Sequence, residues 1–455
     1  MKKILLLFSL LITSVFSNAQ EYETGLLYSS EKSAEIPLRA SALTRDLTLL
    51  PSSYSLKPYS PTPMNQGQYG TCVGWSSAYA AMTIANAIAN NWTDSYVINY
   101  EAFSPWYLFA NIKDYSDNYC RKGAYISDAA SFMKNIGLPK KRDYDIACEN
   151  YVSRNNIQKQ KIDGYYSLYS YNPNNFVASG TDIQKIKMAI SNGHPVIISA
   201  KCFSSLSNAK DKWSGIKDNL RGYHAMCVVA YDDSKYGGAF LIQNSWGTGW
   251  GNGGYTWFAY NDFKSSVYEA IEIFINPKPV NNKYLLSGSL KLQLSTGEQM
   301  RGYFSNGIYK ISGEYISGTR YRIYISNNQP AYVYVIGSDL QNNVSKVFPP
   351  NNKISPALTY KSNNIAIPDE RWFIEMDNTT GKDFLCVLYS AEELNINSLI
   401  SRLKSAPGSF HDKIKTALGD KLVSYSDISF STTSISFTAQ SNNVVVPIIA
   451  EIVHK

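Results

Sequence analysis

Apolar residues recur at helical spacing from Cys72 onward. Trp75, Ala78, Tyr79, Met82, Ile84, Ala85 and Ile88 predict a long helix that opens at Cys72. A second helix is expected over 125–136, carried by Ile126, Ala129, Ala130, Phe132 and Met133. A third is expected over 183–192, with Ile183, Ile186 and Ile190 on one face and Gly193 ending it. After Gly193 the texture changes to short, continuous apolar runs. Segments 195–200, 224–231, 239–243, 255–260 and 270–275 read as strands, with a turn from Asp232 to Gly238 joining the second to the third. Helices first and antiparallel strands second predict an α+β unit over 50–276.

The stretch 276–282, with Pro277 and Pro279, reads as a linker. Beyond it Tyr321, Ile323 and Ile325 alternate with polar positions, and 332–335, 372–376 and 384–388 read as further strands separated by Asn327-Asn328 and Asp377-Asn378. Residues 392–418 read as helical with a break at Pro407-Gly408, and 444–453 as a terminal strand. Short strands at this spacing predict a β-sandwich-like domain over 283–455.

The chain starts with Met1-Lys2-Lys3, followed by an apolar run from Ile4 to Phe16 and the small residues Ser17-Asn18-Ala19. That pattern predicts a signal peptide over 1–19, too short for a permanent membrane anchor. The protein is therefore expected to be exported, to the periplasm, the cell surface or the medium. Removing Lys2 and Lys3 lowers the formal charge from +7 to +5. The remaining lysines and arginines are scattered, so no nucleic-acid partner is expected. Residues 20–49 form a polar, weakly patterned lead, read as an extension or a short pro-segment.

Three separated stretches carry chemistry. The first is Gln66-Gly67-Gln68-Tyr69-Gly70-Thr71-Cys72, the second Gly222-Tyr223-His224-Ala225-Met226, and the third Asn244-Ser245-Trp246-Gly247-Thr248-Gly249-Trp250-Gly251. Cysteine, histidine and asparagine in this order supply a thiol nucleophile, an imidazole to take and return its proton, and an amide to orient the ring. The intervals are 224 − 72 = 152 and 244 − 72 = 172 residues. At these residues the chain resembles the papain-like cysteine peptidases, where the partners follow the cysteine by roughly 130–150 residues.

The resemblance implies a two-lobed fold, a helical lobe and an antiparallel β lobe, with the site in the cleft between them. It implies that Cys72 is the nucleophile, His224 the base and acid, Asn244 the orienter, and Gln66 an oxyanion donor six residues before the cysteine. Such a donor is worth roughly 3–4 kcal/mol in the transition state. Trp246 is expected to shield the His224–Asn244 pair, and Gly123 and Ala124 to border the substrate backbone. Two positions depart from the family pattern: Tyr69 stands where a cysteine is usual, and Val73 where an aromatic is usual. Cys120 resembles the usual disulfide partner of the missing cysteine, which leaves Cys148 as its nearest alternative. The C-terminal region resembles an uncharacterised β-rich domain appended to bacterial proteases.

Without paired His or Cys ligands at metal spacing, neither a metal nor a cofactor is expected. His194, His411 and His454 take no part in the expected site. The function expected is peptide-bond hydrolysis by an exported bacterial thiol protease acting on a peptide or protein. The alternatives are a catalytically silent binding module of the same fold, and an enzyme whose C-terminal domain tethers it to a surface glycan or protein.

Overall fold

The structure, a computed structural model, describes residues 22–147, 150–153, 156–169, 180–276, 279, 281–339 and 343–455. The expected signal peptide, Cys148, Pro277 and Lys278 lie outside the described residues.

The apolar spacing after Cys72 produces one continuous helical stretch, Cys72–Gly74, Trp75–Met82 and Thr83–Ala89. Its middle part has the wider π hydrogen-bond pattern. Nearly every side chain along it is buried, so it forms the axis of the helical part rather than a surface helix. Pro105–Ile112 and Ile126–Asn135 pack around it. Pro105–Ile112 was not evident from apolar spacing. It starts on the side-chain cap of Ser104 with Pro105 in the first turn, a start signal independent of periodicity.

The strand-rich half forms one antiparallel sheet in the order Gly164–Ser167, Val267–Phe274, Val196–Phe203, Leu220–Asp232, Ala239–Gln243, Tyr255–Ala259, with Ser53–Ser55 added to Leu220–Asp232. Five of these strands match the apolar runs of the sequence. Their buried faces are unbroken because helices, among them Trp75–Met82 and Gly180–Ser191, pack against the sheet.

Residues 284–454 build two seven-stranded sheets. One contains Tyr284–Leu294 and Arg320–Asn327; the other contains Ala331–Ser338, Gly381–Ser390 and Val445–His454. Leu290, Leu292, Ile323 and Ile325 of the first meet Val333, Val335, Val387 and Ile448 of the second in a common core. The Tyr389 hydroxyl spans the two sheets, donating to the Ser289 and Ser326 carbonyls at 2.9 and 3.1 Å. Helices Ile396–Ser405 and Phe410–Leu418 flank the break at Pro407-Gly408 and cover the outer face of the second sheet.

Two sequence expectations change. Of 372–376 only Ile374–Glu375 is strand. Trp372 lies largely exposed in a turn closed by backbone N–H groups on Asp369, and Phe373 lies under the Arg322 guanidinium at 4.1 Å. Here turn chemistry overrides aromatic strand preference. The lead is also not a loose extension: Ser30–Glu35 and Thr44–Thr48 are helical, and Leu26, Ile36, Ala40 and Leu43 are buried.

Candidate active site

Cys72 occupies the first turn of its helix, where backbone N–H groups have no partner within the helix. The sulfur is fully buried, and the Ala225 N–H donates to it at 3.5 Å. His224 precedes Ala225 on the central strand Leu220–Asp232, so that strand carries the imidazole to the helix start. Asn244 follows the next strand, Ala239–Gln243, and its Oδ1 lies 2.7 Å from His224 Nε2. The Ser245 N–H donates to the same Oδ1 at 2.7 Å, which fixes the amide orientation. An acceptor at Nε2 places the ring proton there and leaves the Nδ1 lone pair for proton exchange. Nδ1 is buried and has no hydrogen-bond partner.

Trp246 stacks on the His224 ring with centroids 4.6 Å apart and planes 28° apart, and Trp250 meets Trp246 edge-on at 5.4 Å. Water is thereby kept from the imidazole–amide bond, which strengthens it. Gln66 is buried, with its Oε1 accepting from the Ser245 hydroxyl at 2.6 Å. Its Nε2 donates to the Tyr69 carbonyl at 2.7 Å and to the Glu23 carbonyl at 3.2 Å. Trp75, Tyr79 and Trp106 form an aromatic cluster beside the helix, with Tyr69 edge-on to Trp106 at 5.3 Å. Cys72, Cys202, Cys227 and Cys386 are free thiols and Cys120 is disulfide-bonded. Its expected partner Cys148 lies outside the described residues.

Cys72, His224, Asn244, Gln66 and Trp246 are thus brought together, as are Gly123 and Ala124 across the cleft. Part of the lead, read from the sequence as an extension or a short pro-segment, joins them. Residues 22–28 run through the cleft as an extended strap. Tyr22 stacks on Trp246 at 4.6 Å, and the Glu23 carbonyl accepts from Trp246 Nε1 and Gln66 Nε2, both at 3.2 Å. The Leu26 N–H donates to the Tyr223 carbonyl at 3.3 Å. Ala124 N–H donates to Gly25 at 3.0 Å, and Leu27 N–H to Ala124 at 2.9 Å, in a parallel bridge. Only glycines permit this approach. A Cβ on Gly25 would sit 2.0 Å from the Gly70 carbonyl oxygen, and one on Gly123 would sit 2.4 Å from that of Gly25.

Burial sets the charge state of the pair. Burial pushes the Cys72 thiol up to about 12, against the N–H groups of Ala225, Gly25, Val73 and Cys72 that favour the thiolate. Burial pushes His224 down to about 4, opposed by its bond to Asn244. Both shifts favour a neutral thiol and a neutral imidazole in this closed arrangement.

Ser245 was missed by the sequence reading although it lies inside the Asn-Ser-Trp-Gly run. The path of the lead through the site was not read from the sequence either. Its one signal is the apolar Gly25-Leu26-Leu27 stub in an otherwise polar lead.

A thiol at a helix start, facing an imidazole–amide pair on an antiparallel sheet, is the layout of a Cys-His-Asn site. Residues 58–273 match the model of the papain family cysteine proteases, so that this region is papain-like. Residues 314–393 match a domain of unknown function, DUF4384. Among curated proteins, Peptidase 1 of Dermatophagoides pteronyssinus is 26% identical over 207 residues, 44% of this chain and 58% of that protein. Cathepsin K of Mus musculus is 25% identical over 253 residues, 53% of this chain and 66% of that protein. The chain thus spans 58% of the first of these relatives. Xylellain, a cysteine protease from Xylella fastidiosa, gives a TM-score of 0.44 at 19% identity, covering 56% of this chain and 96% of that one.

Proposed function

We propose that the protein is an exported cysteine peptidase whose described form is latent, with residues 22–28 of its own lead in the substrate cleft. The observation that carries the reading is the His224 Nε2–Asn244 Oδ1 bond of 2.7 Å beside an unpartnered Nδ1, on the strand whose next N–H contacts the Cys72 sulfur. Once the strap leaves, water and substrate reach the pair and the burial penalty on its charged form falls. His224 Nδ1 then takes the thiol proton, and the thiolate attacks the substrate carbonyl carbon. The Gln66 amide and the Cys72 N–H stabilise the oxyanion. The C–N bond breaks as His224 returns the proton to the leaving amine, leaving an acyl group on sulfur. Water, deprotonated by His224, then releases the acid and restores the thiol.

The strap offers the sulfur a donor, the Gly25 N–H, which favours the thiolate. The substrate is a peptide or protein, and residues 1–19 direct export as a signal peptide. Among the described residues no helix is long and apolar enough to cross a membrane.

The test is labelling of the strap-free chain with an epoxide thiol trap, alongside cleavage of a peptide library. Stoichiometric modification at Cys72, abolished together with cleavage in Cys72→Ala, is the expected result. Labelling elsewhere, or cleavage by the Cys72→Ala chain, would remove the assignment and leave a silent binding module.

A further inference from the structure

We propose that the C-terminal β-rich unit is a clamp whose partner is segment 36–46 of this chain, and that it thereby governs access to Cys72. The inference rests on the latent reading above.

Beyond the cleft the strap lies in the seam between the two units. Leu38 pairs at once with Ser167, on the edge strand of the catalytic sheet, and with Ile354 of the C-terminal unit. Its N–H donates to the Lys353 carbonyl at 2.7 Å, and its carbonyl accepts from Ser355 N–H at 2.8 Å. Ala42 bridges Ile365 on the strand Asn363–Ile367, an edge of its own sheet, and Leu43 N–H donates to Asn364 at 3.1 Å. The strap thus completes an unpaired sheet edge by strand addition.

Side chains reinforce the backbone contacts. The Arg39 guanidinium lies 3.8 Å from the Tyr360 ring centroid and donates to Asn363 Oδ1 at 3.0 Å. Glu370 accepts from the N–H and the hydroxyl of Thr44 at 2.9 and 2.6 Å. Ala40 belongs to the sandwich core, whereas Leu26 and Ile36 belong to the core of the catalytic unit. One strap is therefore built into both hydrophobic interiors.

This arrangement matters because the contacts of residues 22–28 at the site are supplemented by a second anchor further along the lead. Anchoring at 38–46 keeps them close to the cleft at high effective concentration. With that anchor lost, the lead is held only by its contacts to the catalytic unit, and the effective concentration of residues 22–28 at the site falls with the length of chain freed. Release of the clamp therefore opens the site without any change inside it.

The experiment uses the full chain, with the strap verified intact by mass, and measures the rate of epoxide modification of Cys72 at pH 7. Three chains are compared with the unaltered one: Arg39→Ala, Glu370→Ala and Gly25→Ala. Glu370 lies in an exposed turn, so its variant keeps the fold even if Arg39→Ala disturbs the seam. Gly25→Ala acts within the cleft by collision with Gly70. The clamp predicts modification about ten-fold faster in all three. Acceleration by Gly25→Ala alone, with both clamp variants at the unaltered rate, would overturn the clamp and leave the latent reading standing. No acceleration in any variant would overturn the latent reading, and the clamp with it.

Discussion

The side-chain amide of Gln66 donates to the backbone carbonyl of Glu23 at 3.2 Å, so a residue six positions before the thiol is occupied by the protein's own lead. The donor proposed to stabilise a substrate oxyanion is already turned toward a carbonyl oxygen, and the Ser245 hydroxyl on its Oε1 holds it there. The site is organised before substrate arrives, which is the condition for electrostatic stabilisation without reorganisation.

If Cys72 is the nucleophile, Cys72→Ser and His224→Ala each lower peptide hydrolysis by roughly 10⁴-fold or more in the strap-free chain. Asn244→Ala leaves a measurable remnant, a loss of about 10²-fold, because the amide orients the ring and does not react. Steady-state kinetics decides, and full turnover by the serine variant is the contrary result.

Gln66→Ala is expected to lower kcat by about 10²-fold with KM little changed, since its amide acts on the transition state. Ser245→Ala removes the hydroxyl that orients Gln66 and lowers kcat about ten-fold in the same direction. A loss confined to KM in either variant would make Gln66 a substrate-binding group only.

His224 stays neutral in the intact chain, because burial holds its imidazole at about 4 rather than the usual 6.5. Its own contribution to the closed state is therefore fully present above pH 6.5 and is lost as pH falls through about 4. Ring signals of carbon-13-labelled histidine should show no His224 titration between pH 8 and 5. In Gly25→Ala the midpoint should move up. A His224 midpoint near 6.5 in the intact chain would show a solvated ring and an open cleft.

Tyr360→Phe removes one of the donors that satisfy Glu272. That carboxylate is fully buried and accepts from Tyr360 at 2.7 Å and Tyr166 at 2.9 Å, with His194 Nδ1 2.5 Å away. The loss should destabilise the chain by about 1.5–3 kcal/mol, read as a lower denaturant midpoint, while Arg39 keeps an aromatic face to rest on. An unchanged midpoint would mean that Glu272 does not depend on the C-terminal unit.

Sequence alone determined the features whose cause is local. The apolar spacing after Cys72 places a helix start at the thiol, because side chains three and four positions apart share a face whatever lies across from it. The short apolar runs after Gly193 and the alternation around Ile323 mark strands for the same reason. The three motifs identify the site residues because each is contiguous. The tertiary structure alone decided how polar segments without periodicity are used. The lead takes its form from backbone pairing with Ala124, Ser167, Ile354 and Ile365, residues roughly a hundred to more than three hundred positions away. His194, placed at a turn by Pro195, is packed onto Glu272, and Tyr166 and Tyr360 reach the same carboxylate from opposite sides of the seam. Burying a carboxylate demands donors from whichever elements the fold brings near, and no local pattern records which those are.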